Sequence, residues 1–457
     1  MNKVNKNILI FIPVVLMLAL IASRLFAGEL DGSTSVDDLL TKEVSLDQVL
    51  HYATENNPSI QVEVETWRTV VEKYRVATAY PDPQLMVTWF PSPIETRLGP
   101  QEWNATLSQK IPFPGKLSTS GEVVKTEAAM AKLATDARVR SIRAKVAKSF
   151  HELLYIQKAK KIARQNAILL GQLSQMAQAA HADDRTALMD LLKAQSQEGQ
   201  LQYDILLLEE LGHTEKTILN TLLNRSPDTG LGALQDVEMV PLSCSLTTLY
   251  RLADANQEGI RISDLKIEKA RLDAAFSEYS GKPDLKLGLF YAAIGEPDVA
   301  SPPKDAGDDA VGIQFGVNIP LWSGKNQGRI NMARAGIARQ KAMKSKIVNQ
   351  THSTIRALFF KLNNSQRLVA LYRDNMLPQA LKALEFSQEW FQQGQGSFSD
   401  VVEAQAAVYN FQLSLARARA DHGGALAELE RLVGGFDQCL DSSRMVPGKS
   451  AKEAGDG

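Results

Sequence analysis

The stretch Trp103-Asn104-Ala105-Thr106-Leu107-Ser108-Gln109-Lys110-Ile111-Pro112-Phe113-Pro114-Gly115-Lys116 changes character partway along. Up to Ile111, Trp103, Ala105, Leu107, Gln109 and Ile111 alternate with Asn104, Thr106, Ser108 and Lys110, a period of two that predicts a strand with one apolar and one polar face. Pro112, Pro114 and Gly115 then break the strand, and from Lys116 to about Ala180 there is no proline at all. In that span Val139, Ile142, Val146, Leu153, Ile156, Ala163, Ala167 and Leu170 recur at helical steps. One strand therefore feeds one uninterrupted helix, on the order of 100 Å long at 1.5 Å per residue.

The same passage occurs twice. Ile111-Pro112-Phe113-Pro114-Gly115-Lys116 is answered by Ile319-Pro320-Leu321-Trp322-Ser323-Gly324-Lys325, Tyr80-Pro81-Asp82 by Lys282-Pro283-Asp284, and Ser45-Leu46 by Ser245-Leu246. Further on, Asp190 to Gln195 is answered by Asp400 to Gln405. Matches in the same order at a nearly constant offset are the mark of a duplicated unit. The expected organisation is a first repeat at 45–230 and a second at 245–435, each read as helix, strand, strand, long helix, long helix. Ser45 with Gln48 forms a capping box, and Pro58 suits the first position of a second helix. The partner helix of the first repeat, from about Ala187 to Asn224, carries Leu201, Ile205, Leu208, Ile218 and Leu222 as its stripe. In the second, Ile355, Leu358, Leu362, Val369, Tyr372 and Met376 do the same. Narrow stripes of this kind suit helices packed side by side.

Four strands are expected, at 84–90, 102–111, 284–292 and 310–319, with long outward loops at Pro91 to Gln101 and Ala293 to Asp309. Leu85, Val87 and Trp89, then Leu285, Leu287, Leu289 and Tyr291, then Val311, Ile313, Phe315, Val317 and Ile319 supply the other apolar faces. Runs of this length approach the 9 to 11 residues that a tilted strand needs to cross a bilayer. A soluble sandwich fragment would alternate similarly. Four strands cannot close a lipid-facing barrel, because an open edge is not tolerated in hydrocarbon, so several copies would have to share one.

The 457 residues carry Lys+Arg 51 against Asp+Glu 52, a balance that disfavours a nucleic-acid partner. Two cysteines, Cys244 and Cys439, build neither a thiolate zinc cluster nor a disulfide scaffold, and the six histidines have no local ligand spacing. No cofactor or metal is expected. A phosphate-binding G-x-x-x-x-G-K-[ST] loop, an H-E-x-x-H helix and a G-x-S-x-G elbow are missing, so no enzyme is expected. Lys3 and Lys6 precede an apolar run from Ile8 to Ala22, which reads as a signal peptide over 1–27 and predicts export; an uncleaved anchor is the alternative. The polar tail 441–457 is expected to be disordered.

With these residues together, the chain resembles the TolC family of outer-membrane efflux proteins from Ser45 to Gly435. Besides the landmarks above, the resemblance rests on Leu222-Leu223-Asn224-Arg225-Ser226-Pro227, Leu377-Pro378-Gln379-Ala380 and Leu429-Glu430-Arg431-Leu432-Val433-Gly434. The Pro-Phe-Pro-Gly-Lys turn is similar to branches that include heavy-metal exporters. The resemblance implies a mainly α fold with a membrane β-barrel. It would be a homotrimer with twelve strands, four per chain, continued by an α-helical tunnel across the periplasm. It also implies outer-membrane lipid around the barrel, a periplasmic adaptor (membrane fusion) protein and an inner-membrane pump of RND or ABC type as partners, and a passive duct as the function.

The family's acidic constriction maps onto Asp400 and Glu403, three apart on one helix face. Its adaptor-contacting tips map onto the turns near Arg185 and Asp190 and near Gly394, Gly396 and Ser397. The barrel-to-helix turns are Pro112, Pro114, Gly115, Pro320 and Gly324. Gly396 stands where some relatives have a gate-locking arginine, and Asp183-Asp184-Arg185 replaces a usual glycine. Cys244 and Cys439 flank the second repeat, and an oxidising compartment would allow a disulfide between them. An exported coiled-coil adaptor or scaffold is the competing reading, although it would not need four amphipathic strands.

Overall fold

The computed structural model describes residues 40, 42–182, 188–434 and 439. The signal segment 1–27, Arg185 and the tail 441–457 lie outside them. The elements run β1 (Glu43–Val44), α1 (Leu46–Asn56), α2 (Pro58–Thr78), β2 (Gln84–Thr96), β3 (Gly99–Ile111), α3 (Lys116–Ala182) and α4 (Leu188–Leu222). Then come β4 (Ala233–Leu234), α5 (Leu246–Asn256), α6 (Glu258–Tyr279), β5 (Leu285–Ile294), β6 (Ala310–Val317) and α7 (Ser323–Leu371). A π-turn at Tyr372–Met376, α8 (Leu377–Gln392) and α9 (Phe398–Val433) complete the chain.

Local chemistry explains the boundaries. Ser45 and Gln48 form a reciprocal capping box on α1, and Asn57 caps α2 with Pro58 in its first turn. The equivalent α5 and α6 are capped by Ser245 and Gln257. The proline-free stretch forms the single 67-residue helix α3, about 100 Å long. Its counterpart in the second half is interrupted. Pro378 has no N–H for the carbonyl of Asp374 and its ring crowds that carbonyl, so the chain widens into the π-turn before α8 resumes.

The four long strands form one antiparallel sheet in the order β2-β3-β5-β6. Its register puts Leu85 opposite Leu107, Leu107 opposite Leu289, and Leu289 opposite Ile313. All four apolar sets therefore share one face. That face is bare, with Phe315 80% and Val311 78% exposed. Strand limits differ from expectation mainly at the first hairpin. Pro91 to Gln101 is not a loop: β2 continues to Thr96 and β3 starts at Gly99, around a tight turn in which the Thr96 hydroxyl donates to Gly99 O at 2.6 Å. Pro91 and Pro93 cannot donate to a ladder, and they fall in the register shift between Trp89 and Ile94, which the edge position of β2 tolerates. At the other end, β6 stops at Val317, leaving Asn318 and Ile319 outside it.

Below the sheet the helices lie side by side. Near it the order of contact is α2-α3-α6-α7, and farther down it is α4-α3-α9-α8. Three apolar clusters occur along the length. One gathers Val49, Phe150, Leu153 and Leu219, and its repeat equivalent gathers Leu249, Ile355, Leu362 and Leu429. The third, farthest from the sheet, joins Leu173, Ala194, Leu384, Phe398 and Val401. Most of the expected α3 stripe is buried, and so are Ile355, Leu362 and Val369. On α4 Leu201 is buried as expected, but towards the end of the helix the stripe is off by one position: Leu219 is buried and Ile218 is exposed, because this helix has apolar residues on two sides. Cys244 and Cys439 form a disulfide, with Cα atoms 4.9 Å apart. No helix among the described residues is long and apolar enough to cross a membrane.

Candidate functional site

The end of the bundle far from the sheet is made of two helical hairpins. Between α8 and α9, Gly394 takes φ 73°, a left-handed value that closes the helix without a Cβ penalty. Its N–H donates to Phe391 O at 3.1 Å, and the N–H groups of Gln395 and Gly396 both donate to Trp390 O at 3.0 and 3.1 Å. The turn is thereby tightened so far that a Cβ at Gly396 would lie 3.0 Å from the Trp390 Cβ. Ser397 restarts the helix by accepting from the Asp400 N–H at 3.2 Å. The rings of Phe391 and Phe398, 5.4 Å apart, seal the base of the turn.

Phe398, Val401, Val402 and Gln405 face inward, so Asp400 and Glu403 are left together on the exposed side of the first turns of α9. A carboxylate at a helix N-terminus is favoured by the unpaired N–H groups there, and two on one face form a local negative patch. Arg185 in the first tip lies outside the described residues, and Asp190 belongs to the first turn of α4. Lys193 Nζ donates to Ser399 Oγ at 3.2 Å, which ties the two hairpins together.

At the opposite end, the strand-to-helix turns meet in a charged knot. Asp284, just before β5, is buried, and its carboxylate accepts from Lys116 Nζ at 2.8 Å, the Phe113 N–H at 3.0 Å and Lys110 Nζ at 3.1 Å. Pro112 and Pro114 position that turn, and Gly115, at φ 92°, lies against the Tyr279 ring, 2.9 Å from where a Cβ would be. The second turn, with Pro320 and Gly324, has nothing within 4 Å of a Cβ built on Gly324. Sequence reasoning matched Asp82 with Asp284 and Lys116 with Lys325 across the halves, but did not pair Asp284 with Lys116. Residues 168 apart in sequence meet only through the sheet.

A polar seam runs along α3 and α9 between these ends, and no motif signalled it. Asn166 and Gln405 hydrogen-bond inside it, and Arg417 holds Glu152 in a fork at 2.7 and 2.8 Å while also reaching Asp421 at 2.9 Å. The Arg417 guanidinium lies 4.6 Å over the Tyr155 ring. His422 is buried, with Nε2 2.9 Å from Val240 O and Nδ1 3.2 Å from Ser365 Oγ. Burial, helped by the nearby His422, pushes His151 down to about 4. Among the described residues no group of three His, Cys, Asp or Glu side chains is arranged to hold a metal.

The comparisons with known proteins agree with this architecture. Residues 249–435 match the family model described as outer membrane efflux protein. No curated protein sequence matches the chain. Among solved structures, the outer membrane protein VceC of Vibrio cholerae is similar at 17% identity and TM-score 0.70, covering 85% of this chain and 96% of that one. CusC is similar at 15% identity and TM-score 0.72, over 85% and 92%. The CmeC outer membrane channel of Campylobacter jejuni gives 13% identity and TM-score 0.68, over 88% of each.

Proposed function

We propose that this chain belongs to the outer membrane efflux protein family, whose model matches residues 249–435, and that three copies form the exit duct of a tripartite efflux pump. Channels of this family are trimers that pair with adaptor proteins and inner-membrane pumps. In this reading the protein is set in the outer membrane by its strands and extends its helices into the periplasm.

One observation carries the proposal. At every level the chain ends sideways in an unpaired edge, and the first half always supplies one side: β2 in the sheet, α2 below it and α4 lower still. The second half supplies the other with β6, α7 and α8. Exposed large apolar residues on the helices concentrate on these edges, for example Val62 and Val76 on α2, Tyr203 and Leu206 on α4, and Phe386 and Trp390 on α8. Of the middle helices, α6 and α9 show none among the described residues, and the 67-residue α3 shows only Ile168 and Met176. Two unlike edges on one subunit generate a ring when copies join head to tail and the rotation between them closes. Three copies of a four-stranded sheet make a twelve-stranded barrel, which removes the open edges that hydrocarbon forbids.

The duct carries out no chemistry of its own. At the tips, Arg185, Asp190, Gly394, Gly396 and Ser397 would contact the adaptor, and the partner pump would be of RND or ABC type. Asp400 and Glu403, exposed and adjacent, would form an acidic ring where three copies converge, admitting cations over anions. Gly396 supplies no arginine lock, and a Cβ there would need Trp390 to give by a few tenths of an ångström, so closure would rest on other contacts. Detergent extraction of outer membranes, an unheated gel and planar-bilayer recording test the proposal together. A heat-dissociable trimer that conducts is expected, and a monomer confined to the soluble periplasmic fraction would overturn it.

A further inference from the structure

The knot around Asp284 joins the first half of the chain to the second, and the duplicated order of elements implies that the same joint occurs once more. Inside the chain, the trailing edge of the first half (β3, α3) meets the leading edge of the second (β5, α6). In a closed ring, the trailing edge of the second half (β6, α7) meets the leading edge of the first half (β2, α2) of the next copy. The joint between copies is therefore the counterpart of a joint visible within one chain.

Its charges are present, and among the described residues their side chains are unpaired. Asp82 stands in Tyr80-Pro81-Asp82 where Asp284 stands in Lys282-Pro283-Asp284. Lys325 follows Gly324 as Lys116 follows Gly115, and both lysines lie in the first turn of their helices. Asp284 and Lys116 are bonded at 2.8 Å, whereas Asp82 and Lys325 are exposed and make no ion pair or hydrogen bond among the described residues.

The strand register supplies an independent check. Within the chain, Leu107 of β3 is opposite Leu289 of β5. The offset from Ile111 to Ile319 is 208 and that from Pro81 to Pro283 is 202. Adding 208 to Leu107 and subtracting 202 from Leu289 gives Phe315 and Val87. Both belong to the apolar face of the sheet, as they must if the face is to continue unbroken around a barrel; a register one residue away would turn one strand over.

We propose that a second copy of this chain docks with Asp82 of its β2 edge on Lys325 of the β6 edge, and with Val87 opposite Phe315. This contact rests on the trimeric reading above and gives it a register and an ion pair. Asn318 stands where Lys110 stands in the inner joint, so the outer joint has one lysine in place of two. That makes it the weaker joint, suited to assembly after each chain has folded.

Full-length protein in outer membranes, with its native cysteine pair retained, tests the contact. Asp82→Lys and Lys325→Asp should each lower the temperature at which the trimer dissociates on a gel. The two together should recover most of that loss, as expected of a coupled pair. Should a charge reversal stop assembly, the pair Val87→Cys with Phe315→Cys remains informative: oxidation should yield covalently closed trimers, and Leu85→Cys with Phe315→Cys should yield few. If the wild type is trimeric but the double reversal gives no recovery and the Val87–Phe315 pair does not cross-link, this contact is wrong and the duct reading stands. A wild type that is monomeric in the membrane overturns both.

Discussion

The Cα of Gly423 on α9 sits against the His151 imidazole on α3, so close that a Cβ there could not be accommodated without moving the ring. This contact fixes how near the two longest-contacting helices approach. Gly423→Ala should therefore push α9 away from α3 and lower the stability of the bundle by roughly 1–3 kcal/mol, the usual cost of overpacking a tight interior. Thermal denaturation followed by circular dichroism measures it, and an unchanged melting temperature would mean that the ring moves freely aside.

The same imidazole gives the bundle a pH dependence. Burial holds His151 at about 4, below its ordinary 6.5, so the folded state binds its proton less readily than the unfolded chain. The stabilisation from neutral His151 is full above pH 6.5, declines as pH falls from there towards 4, and is flat below. At pH 5 the loss from this group is on the order of 2 kcal/mol. Melting curves at pH 7 and pH 5 should differ more for the wild type than for His151→Gln. Equal differences would assign the pH dependence to other groups.

The disulfide between Cys244 and Cys439 closes a separation of 195 residues that spans the whole second half. Constraining so long a loop in the unfolded chain contributes roughly 5 kcal/mol on the chain-entropy account. Replacing both cysteines with serine should lower resistance to heat and denaturant while leaving conductance unchanged. Mass spectrometry of the unreduced protein after thiol labelling checks the bond itself, since label at both positions would show it absent.

Phe315 stands on the bare apolar face of β6, two residues before the strand ends at Val317. Phe315→Arg, or Leu107→Arg on β3, should reduce trimer recovered from the outer membrane, with a cost of roughly 2 to 4 kcal/mol at the bilayer midplane. Normal yield from both variants would remove the face from contact with lipid.

Asp400→Ala should weaken block by multivalent cations and reduce cation selectivity in single-channel recordings without affecting trimer yield. The exposed carboxylate carries no packing role. Glu428, paired with Arg431 at 2.5 Å and about 42 Å farther along the same helix, serves as the control. Wild-type selectivity and block in Asp400→Ala channels would reassign Asp400 and Glu403 to helix-start charges.

Much of the architecture is legible locally. Strand alternation, the prolines at 112 and 114, the proline-free run after Lys116 and the caps at Ser45 and Asn57 are all short-range signals, because backbone preference and side-chain periodicity act over a few residues. Internal repetition extended that reach, since the second half confirms where the first must turn. The tight turn at Thr96 to Gly99 was not legible, as two prolines and a glycine fit a long loop as well as a bulged strand end. Nor was the π-turn before Pro378, where the helical stripe continues on both sides of the defect.

The chain's own order of residues determined that there are long helices, four two-faced strands and a paired set of turns. Only the tertiary structure decided which charges meet, because Asp284 with Lys116, Glu152 with Arg417 and Cys244 with Cys439 are separated by 168, 265 and 195 residues. Coulomb and hydrogen-bond energies act over a few ångströms, and distance in space is set by the register of the sheet and the packing of α3 against α9. The same packing decided that Asp400 and Glu403 stay exposed. It buries Phe398, Val401 and Val402 against the neighbouring hairpin and leaves the carboxylates the remaining side of the helix.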